Sequence, residues 1–400
     1  MPDFPHEHFP HEYWMAQACQ QAEQGRYTTH PNPRVGCVLV KNGLLVGAGF
    51  HLQTGLAHAE VNALAAAGEQ AIGATAYVTL EPCSHQGKTG PCADALIKAQ
   101  VACVVFGMLD PNPQVAGNGI KKLTAAGIQV IGPVAEATCR ALNPGFIKRM
   151  LEGLPFVRVK MAMSLDGRTA MASGESKWIT GPEARLDVQK LRAQSDAIIT
   201  GIGSVLADNP SMTVRIDSHN QEIDSKQVRQ PRRVILDTAL SIPPESKILY
   251  PATQVQIFCL ADQVEPEHSE LLLQKGLQIS YADQGEDGRI DLLQVMEQLA
   301  DQGINEVLVE TGAELAGSFL QAGLVDEVVV YMAPKLMGSL ARPLFQLPLE
   351  YMDEVVELTM TSVRQVGQDL RLVFTPNYQD DIEDDYQEEM QDDSQDEKEE

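Results

Sequence analysis

No window of the chain approaches the ~20 uninterrupted apolar residues that a membrane span requires. The opening residues, MPDFPHEHFPHEYW, hold neither a basic start nor the apolar stretch of an export signal. A cytoplasmic protein without a membrane partner is the expectation. Cations are scarce: 30 Lys and Arg stand against 55 Asp and Glu, for a formal charge of −25. This argues against a nucleic-acid substrate, because phosphate backbones are bound mainly through Lys and Arg. Cysteines are few and odd in number, seven in all, at 19, 37, 83, 92, 103, 139 and 259. Such irregular spacing suits free thiols or metal ligands better than a disulfide framework. There is no Gly-x-Gly-x-x-Gly run and no internal repeat at a solenoid period.

What is present is length and apolar material. The 400 residues, 44% of them hydrophobic, exceed the ~250–300 at which one core stops growing, so two domains are expected. The acidity is uneven, with 13 acidic residues and one lysine inside 379–400. That stretch has almost no apolar surface to offset the entropy of ordering, and it reads as a disordered tail. Deleting it is expected to leave folding and activity intact; a large fall in melting temperature on truncation would show that it packs on the body.

Residues 11–25 read as a helix ending at Gly25, and VGCVLV, Lys41-Asn42-Gly43 and LLVGAGF as a β-hairpin, since Asn-Gly favours the positive φ of a tight turn. Helix-like and strand-like runs then alternate through IQVIG, which predicts an α/β layered sheet. Gly153 and Pro155 break the pattern, placing a first domain at 10–151 and a second at 155–376. The second alternates again, with helices over 182–194, 290–302 and 314–322, a polar loop at 217–231, and a closing hairpin turned at Gly367 on a sheet edge.

His58-Ala59-Glu60 opens one helix of the first domain, and Pro82-Cys83 through Pro91-Cys92 leads from a strand into the next. One imidazole and two thiolates are ligands that Zn²⁺ prefers, and three protein ligands leave a fourth tetrahedral position for water. Glu60 lies about 200° around the helix from His58, yet a metal beyond the helix end sees the whole first turn. Zinc deaminases carry H-x-E followed by P-C-x-x-C, with the Glu as general acid/base and not as a ligand. Here the first half matches, and the second is Pro82-Cys83-x8-Cys92. A closed structural zinc site is the weaker reading, because it usually has a fourth Cys or His. Cys37 and Cys103 lie in apolar strands and read as core.

The runs Asn32-Pro33-Arg34-Val35-Gly36-Cys37-Val38, Gly49-Phe50-His51, His58-Ala59-Glu60, Thr79 through Cys92 and Asp110-Pro111-Asn112-Pro113 resemble the bifunctional deaminase–reductase family of the riboflavin pathway. In the second domain Lys160 through Arg168, Ser176 through Thr180, Leu191-Arg192-Ala193, Thr200 through Ser204, Asp208-Asn209-Pro210 and Val309-Glu310-Thr311-Gly312 resemble it too. The resemblance covers roughly residues 10–376 and leaves only the acidic tail outside. It implies an α/β chain in which a three-layer, cytidine-deaminase-like domain precedes a dihydrofolate-reductase-like one, with Zn²⁺ and NADPH as cofactors. The implied substrate is 2,5-diamino-6-(5-phosphoribosylamino)pyrimidin-4-one, a small phosphorylated pyrimidine. Its 2-amino group would be hydrolysed first and its ribosyl group then reduced to ribityl.

By that resemblance His58, Cys83 and Cys92 hold the metal, and Glu60 moves protons. Asn32, His51, His85, Lys88, Asp110 and Asn112 surround the first substrate. Lys160, Asp208 and Glu310 hold or protonate the opening sugar, Ser176 touches substrate, and Ala162, Trp178, Ser204, Asp208 and Gly312 lie near the cofactor. Arg192 and Arg215 are candidates for the 5-phosphate, because a guanidinium offers phosphate a planar fork of donors. A homodimer or small homo-oligomer is also implied. Gly90 departs from the family, where Pro is common, and should loosen the loop before Cys92. Two other readings compete: a cytidine- or tRNA-type deaminase fused to an unrelated reductase, opposed by the acidity and the longer cysteine gap, and a non-catalytic zinc-stabilised binding protein.

Overall fold

The computed structural model describes residues 10–84, 90–113, 115–216, 228–285 and 287–378. Most of the expected loop at 217–231 and all of the acidic tail therefore lie outside the described residues, as do His85 and Lys88. Among the described residues no helix is long and apolar enough to cross a membrane.

The first half builds a five-stranded sheet in the order β2-β1-β3-β4-β5, from β1 (Gly36–Lys41), β2 (Leu44–Phe50), β3 (Thr75–Val78), β4 (Cys103–Phe106) and β5 (Gln129–Ile131). The β1–β2 hairpin is antiparallel and turns at Asn42 and Gly43, both with positive φ, as Asn-Gly predicts. β3, β4 and β5 run parallel to one another, with β1 antiparallel to β3. Both faces of the sheet are apolar, and each is covered. Trp14 and Met15 of α1 (His11–Glu23), Cys139 of α5 (Glu136–Ala141) and Ile147 of α6 (Pro144–Glu152) pack with Val38 and Val105 on one side. Ala63 of α2 (Ala59–Ala67), Leu96 of α3 (Cys92–Lys98) and Leu123 of α4 (Asn118–Ala125) pack with Leu39 and Val78 on the other. This is the three-layer arrangement, and Cys37 and Cys103 are buried in it as expected. α2 lies so close to β2 that a Cβ on Gly47 would come 2.4 Å from the Ala63 carbonyl oxygen, and one on Gly49 2.5 Å from the Ala63 nitrogen. Glycine at those positions thus fixes the helix whose first turn carries the metal motif.

The second half is a nine-stranded sheet in the order β11-β10-β9-β8-β12-β6-β13-β16-β15. Its strands are β6 (Phe156–Ser164), β8 (Ala197–Gly201), β9 (Arg232–Leu236), β10 (Val255–Cys259), β11 (Gln278–Tyr281), β12 (Glu306–Val309), β13 (Glu327–Ala333), β15 (Glu357–Val366) and β16 (Asp369–Asn377). β7 (Arg168–Ala170) and β14 (Arg342–Pro343) form a separate small ladder. The strands from β11 through β13 are parallel, and near-continuous apolar runs such as EVLV suit strands buried on both faces. The β15–β16 hairpin closes the edge antiparallel, turning at Gly367 with φ +62°. α7 (Pro182–Gln194), α8 (Ile202–Asp208), α9 (Pro266–Gln274), α10 (Leu292–Asp301) and α11 (Ala313–Gln321) make the connections. The expected helices at 182–194, 290–302 and 314–322 are α7, α10 and α11; Asp291 starts α10 by accepting from the Leu293 and Gln294 amides. α9 and β11 went unread in the sequence.

Candidate active sites

The metal motif converges. His58 caps the start of α2, Cys92 is the first residue of α3, and Cys83 sits in the loop that follows β3. His58 Nδ1 is 3.2 Å from Cys92 Sγ and 3.7 Å from Cys83 Sγ, and the three ligand atoms lie within 4.8 Å of one another. Among the described residues this is the one such group of three. Cys83 also accepts from the Cys92 amide at 3.3 Å, an oriented donor at a helix start that favours thiolate. The hydrogen bond from the Cys92 thiol, followed by His58, holds Cys83 well below the usual thiol range against the opposing effect of burial. An imidazole and two thiolates at this spacing fit zinc.

Glu60, 3% exposed, is buried beside the cluster. Burial, and after it the charge of Cys83, raise its carboxyl to about 7. A group balanced near neutrality is suited to both taking and returning a proton. His51, on the far side of His58, stacks edge-on to it at 5.2 Å between ring centroids. Burial pushes His51 below the usual imidazole value, and its Nδ1 lies 3.1 Å from the Ala57 carbonyl oxygen. Asn32 Nδ2 lies 3.1 Å from His51 Nε2, which links Asn32 through His51 to His58. Gly90 is exposed, and among the described residues a Cβ there meets nothing within 4 Å.

The second half holds a cavity of about 1260 Å³ at the C-terminal ends of its parallel strands, the edge where open α/β sheets take ligands. Lys160, Ala162, Ser176, Trp178, Arg192, Ser204, Asp208, Arg215, Glu310 and Gly312 all line it, which gathers every second-domain residue singled out in the sequence. At its floor the Arg192 fork grips Glu310 through Nε at 2.5 Å and Nη2 at 2.9 Å, and Nη1 donates to the Thr213 carbonyl at 3.2 Å. Lys160 Nζ lies 3.6 Å from Glu310. Although burial pushes the carboxyl up, the two cations hold Glu310 down at about 2, so it stays ionised. Burial also lowers Lys160, with Glu310 opposing the shift. Arg215 is exposed at the rim, Trp178 is 64% exposed under the Arg185 guanidinium, and Asp208 pairs with Lys177 at 3.2 Å.

Residues 155–372 match the family model described as the RibD C-terminal domain, and residues 9–108 match the cytidine and deoxycytidylate deaminase zinc-binding region. The riboflavin biosynthesis protein RibD of Escherichia coli K12 is 50% identical over 366 residues, covering 90% of this chain and 98% of its own. The chain belongs to the RibD family. Its Haemophilus influenzae relative is 48% identical over 369 residues, with 91% and 96% covered. Acinetobacter baumannii RibD superposes with a TM-score of 0.85 at 48% identity, covering 92% of this chain and 99% of that one. The Thermotoga maritima diaminohydroxyphosphoribosylaminopyrimidine deaminase/5-amino-6-(5-phosphoribosylamino)uracil reductase does so at 0.79 and 32%, with the same coverage. As a RibD-family chain the protein is a bifunctional enzyme of riboflavin biosynthesis, a zinc-dependent deaminase followed by a reductase that uses NADPH.

One residue of the run Thr79 through Cys92 was given no role in the sequence. Glu81 is buried in the loop after β3, and its carboxylate accepts from the amides of Asp110, Gly117, Gly119 and Ile120 at 3.3, 2.8, 2.9 and 3.4 Å. It thereby ties the loop bearing Asp110 and Asn112, and the start of α4, to the loop bearing Cys83. Asn112 in turn donates its amide to Asp110 at 2.9 Å. The signal in the sequence was a charged residue between an apolar strand and a metal-motif proline, a position where a carboxylate must find buried donors.

Proposed function

We propose that residues 10–151 hydrolyse the 2-amino group of 2,5-diamino-6-(5-phosphoribosylamino)pyrimidin-4-one, and that residues 155–376 then reduce the ribosyl group of the product to ribityl. The observation that carries this reading is one chain holding both a His58/Cys83/Cys92 cluster with a buried carboxyl beside it and a separate large crevice with a Lys160–Glu310–Arg192 floor. In the first site zinc, when bound, supplies a Lewis acid that lowers the pKa of a water to about 7. Glu60 takes one proton from the water and delivers it to the ring nitrogen as the water oxygen bonds to the carbon; it then takes the second proton from that oxygen and passes it to the 2-amino group, so that the C–N bond breaks, ammonia leaves and a carbonyl remains. Asn32 and His51 orient the pyrimidine from the adjoining wall, and Asp110 and Asn112, with His85 and Lys88, hold its other edges.

In the crevice NADPH, when bound, supplies the hydride. Ala162, Trp178, Ser204 and Gly312 border its place, and Gly312 caps α11, where free amides favour phosphate. Opening the ribose ring frees an oxygen that needs a proton; Lys160, held by ionised Glu310, is placed to give it, and Asp208 and Ser176 bind the sugar hydroxyls. Arg192 is committed first to Glu310, so of the two arginines named for the 5-phosphate Arg215 is the exposed one. Arg215→Ala is expected to raise the reductase KM about tenfold to a hundredfold for the phosphorylated intermediate, the equivalent of a lost charge-assisted bond of ~1.5–3 kcal/mol. The dephosphorylated analogue should show no such penalty, and equal effects on both would make Arg215 structural. A cytoplasmic location and a homodimer or small homo-oligomer belong to the same reading. The dimer is supported by the exposed Leu358, Met360 and Val363 on edge strand β15.

A further inference from the structure

The segment Thr29–Arg34 carries Asn32, which is paired with His51 beside His58, yet much of what fixes it belongs to the other half of the chain. His30 Nδ1 lies 3.1 Å from Asp196 Oδ1, within ion-pair distance but without hydrogen-bond geometry, and both side chains are buried. The Asn305 side-chain amide donates to the Pro31 carbonyl at 2.7 Å. Arg34 pairs with Glu306, which also lies 3.5 Å from the Arg158 guanidinium. From the first half, Thr54 donates to the Thr29 carbonyl at 3.0 Å, and Asn143 brackets Arg34 through its amide and carbonyl at 2.7 and 2.9 Å.

The anchors on the reductase side are rigid. Asp196 immediately precedes β8, and Asn305 and Glu306 stand at the start of β12. Asp196 Oδ2 accepts the amides of Asn305 at 2.8 Å and Glu306 at 3.1 Å, and its other oxygen takes Arg229 at 2.5 Å. Its carboxylate is therefore locked to the sheet, and His30 is its partner from the first half. These strands end at the reductase crevice through Gly201 and Glu310, so the anchors occupy the opposite edge and touch no residue assigned to reduction. In the strap itself Pro31 and Pro33 fix φ on either side of Asn32, which lets anchoring at 30, 31 and 34 restrict the asparagine between them. The bond from Asn305, the two from Asn143 and the Arg34–Glu306 pair hold the strap from both halves.

We infer that the reductase half completes the deaminase site: Asp196, Asn305 and Glu306 are positioning residues that hold the Thr29–Arg34 strap and so set Asn32 against His51. The inference rests on the reading of Asn32 as a substrate contact.

The test uses the full-length, zinc-loaded protein with Asp196→Asn and Asn305→Ala, and with Asn32→Ala as the reference. Deamination and reduction are assayed separately, and amide exchange is followed over residues 29–34. Asn305→Ala removes the bond to the strap together with the one accepted from Arg149, and leaves Asp196 with its two amides, so it reports even where Asp196→Asn fails to fold. Both variants should show faster exchange in the strap and a deaminase KM raised about three- to tenfold, the scale of one lost hydrogen bond. Deaminase kcat should change less, and reductase kcat and KM should stay near the parent values. A parent-like deaminase KM in both variants, with KM raised in Asn32→Ala, overturns the inference and spares the reading of Asn32. An unchanged KM in Asn32→Ala overturns that reading and the inference with it. Parallel loss of both activities would reduce the network to general stability and also overturns it.

Discussion

Glu60→Gln is expected to lower ammonia release by at least about 10²–10⁴-fold, the usual worth of general acid–base help, while reduction of already deaminated substrate stays near the parent rate. The glutamine nearly preserves shape in a position that is 3% exposed, so the packing of α2 on β2 should survive. What is lost is a buried carboxyl beside the metal ligands, able to accept a proton and release it within one turnover. The crevice around Lys160 and Glu310 is lined wholly by residues from 160 onward and shares no side chain with the metal cluster. Zinc content is measured alongside both rates. Retained deamination in a zinc-loaded variant removes the role assigned to Glu60.

Cys92→Ser should be as damaging to deamination, by a different route. It takes a buried thiolate from a three-ligand set and leaves His58 and Cys83, too few to hold a tetrahedral ion tightly. Metal analysis should fall from about one zinc per chain to a small fraction of that. The thermal midpoint of the variant should no longer rise on adding zinc, because a ligand that binds only the folded state stabilises by mass action. Reduction of deaminated substrate should persist. Full zinc occupancy in Cys92→Ser would mean that another residue supplies the ligand.

The two halves were legible in the sequence to different depths. His58, Glu60, Cys83 and Cys92 carry their chemistry in their residue types and spacing, and the fold only had to bring two helix starts and one loop together. Apart from Gly312, at a strand–helix turn that suits an anion, the crevice residues were readable through resemblance alone. No single arginine or lysine among them announces a role, and the ion pair that turns Arg192 toward Glu310 depends on a packing of α7 against β12 that no local pattern encodes. α9 and β11 were missed because PEHSELLLQKGLQISY carries a compact apolar cluster without a strong period. Glu81 and Asp196 were missed for a common reason. Each is a carboxylate whose partners are mostly backbone amides and side chains from distant parts of the chain, as in the contact from Asp196 back to His30. Sequence spacing is silent about such contacts.

The most direct measurement of the account follows ammonia and NADPH in one vessel, starting from the diaminopyrimidine substrate and the zinc-loaded full-length protein. The account predicts ammonia release without NADPH present, and NADPH oxidation that begins only as deaminated product accumulates. In Glu60→Gln both signals should be absent from this substrate, and adding deaminated intermediate should restore NADPH oxidation alone. NADPH oxidation by Glu60→Gln with the undeaminated substrate, or no ammonia from the zinc-loaded parent, would contradict it.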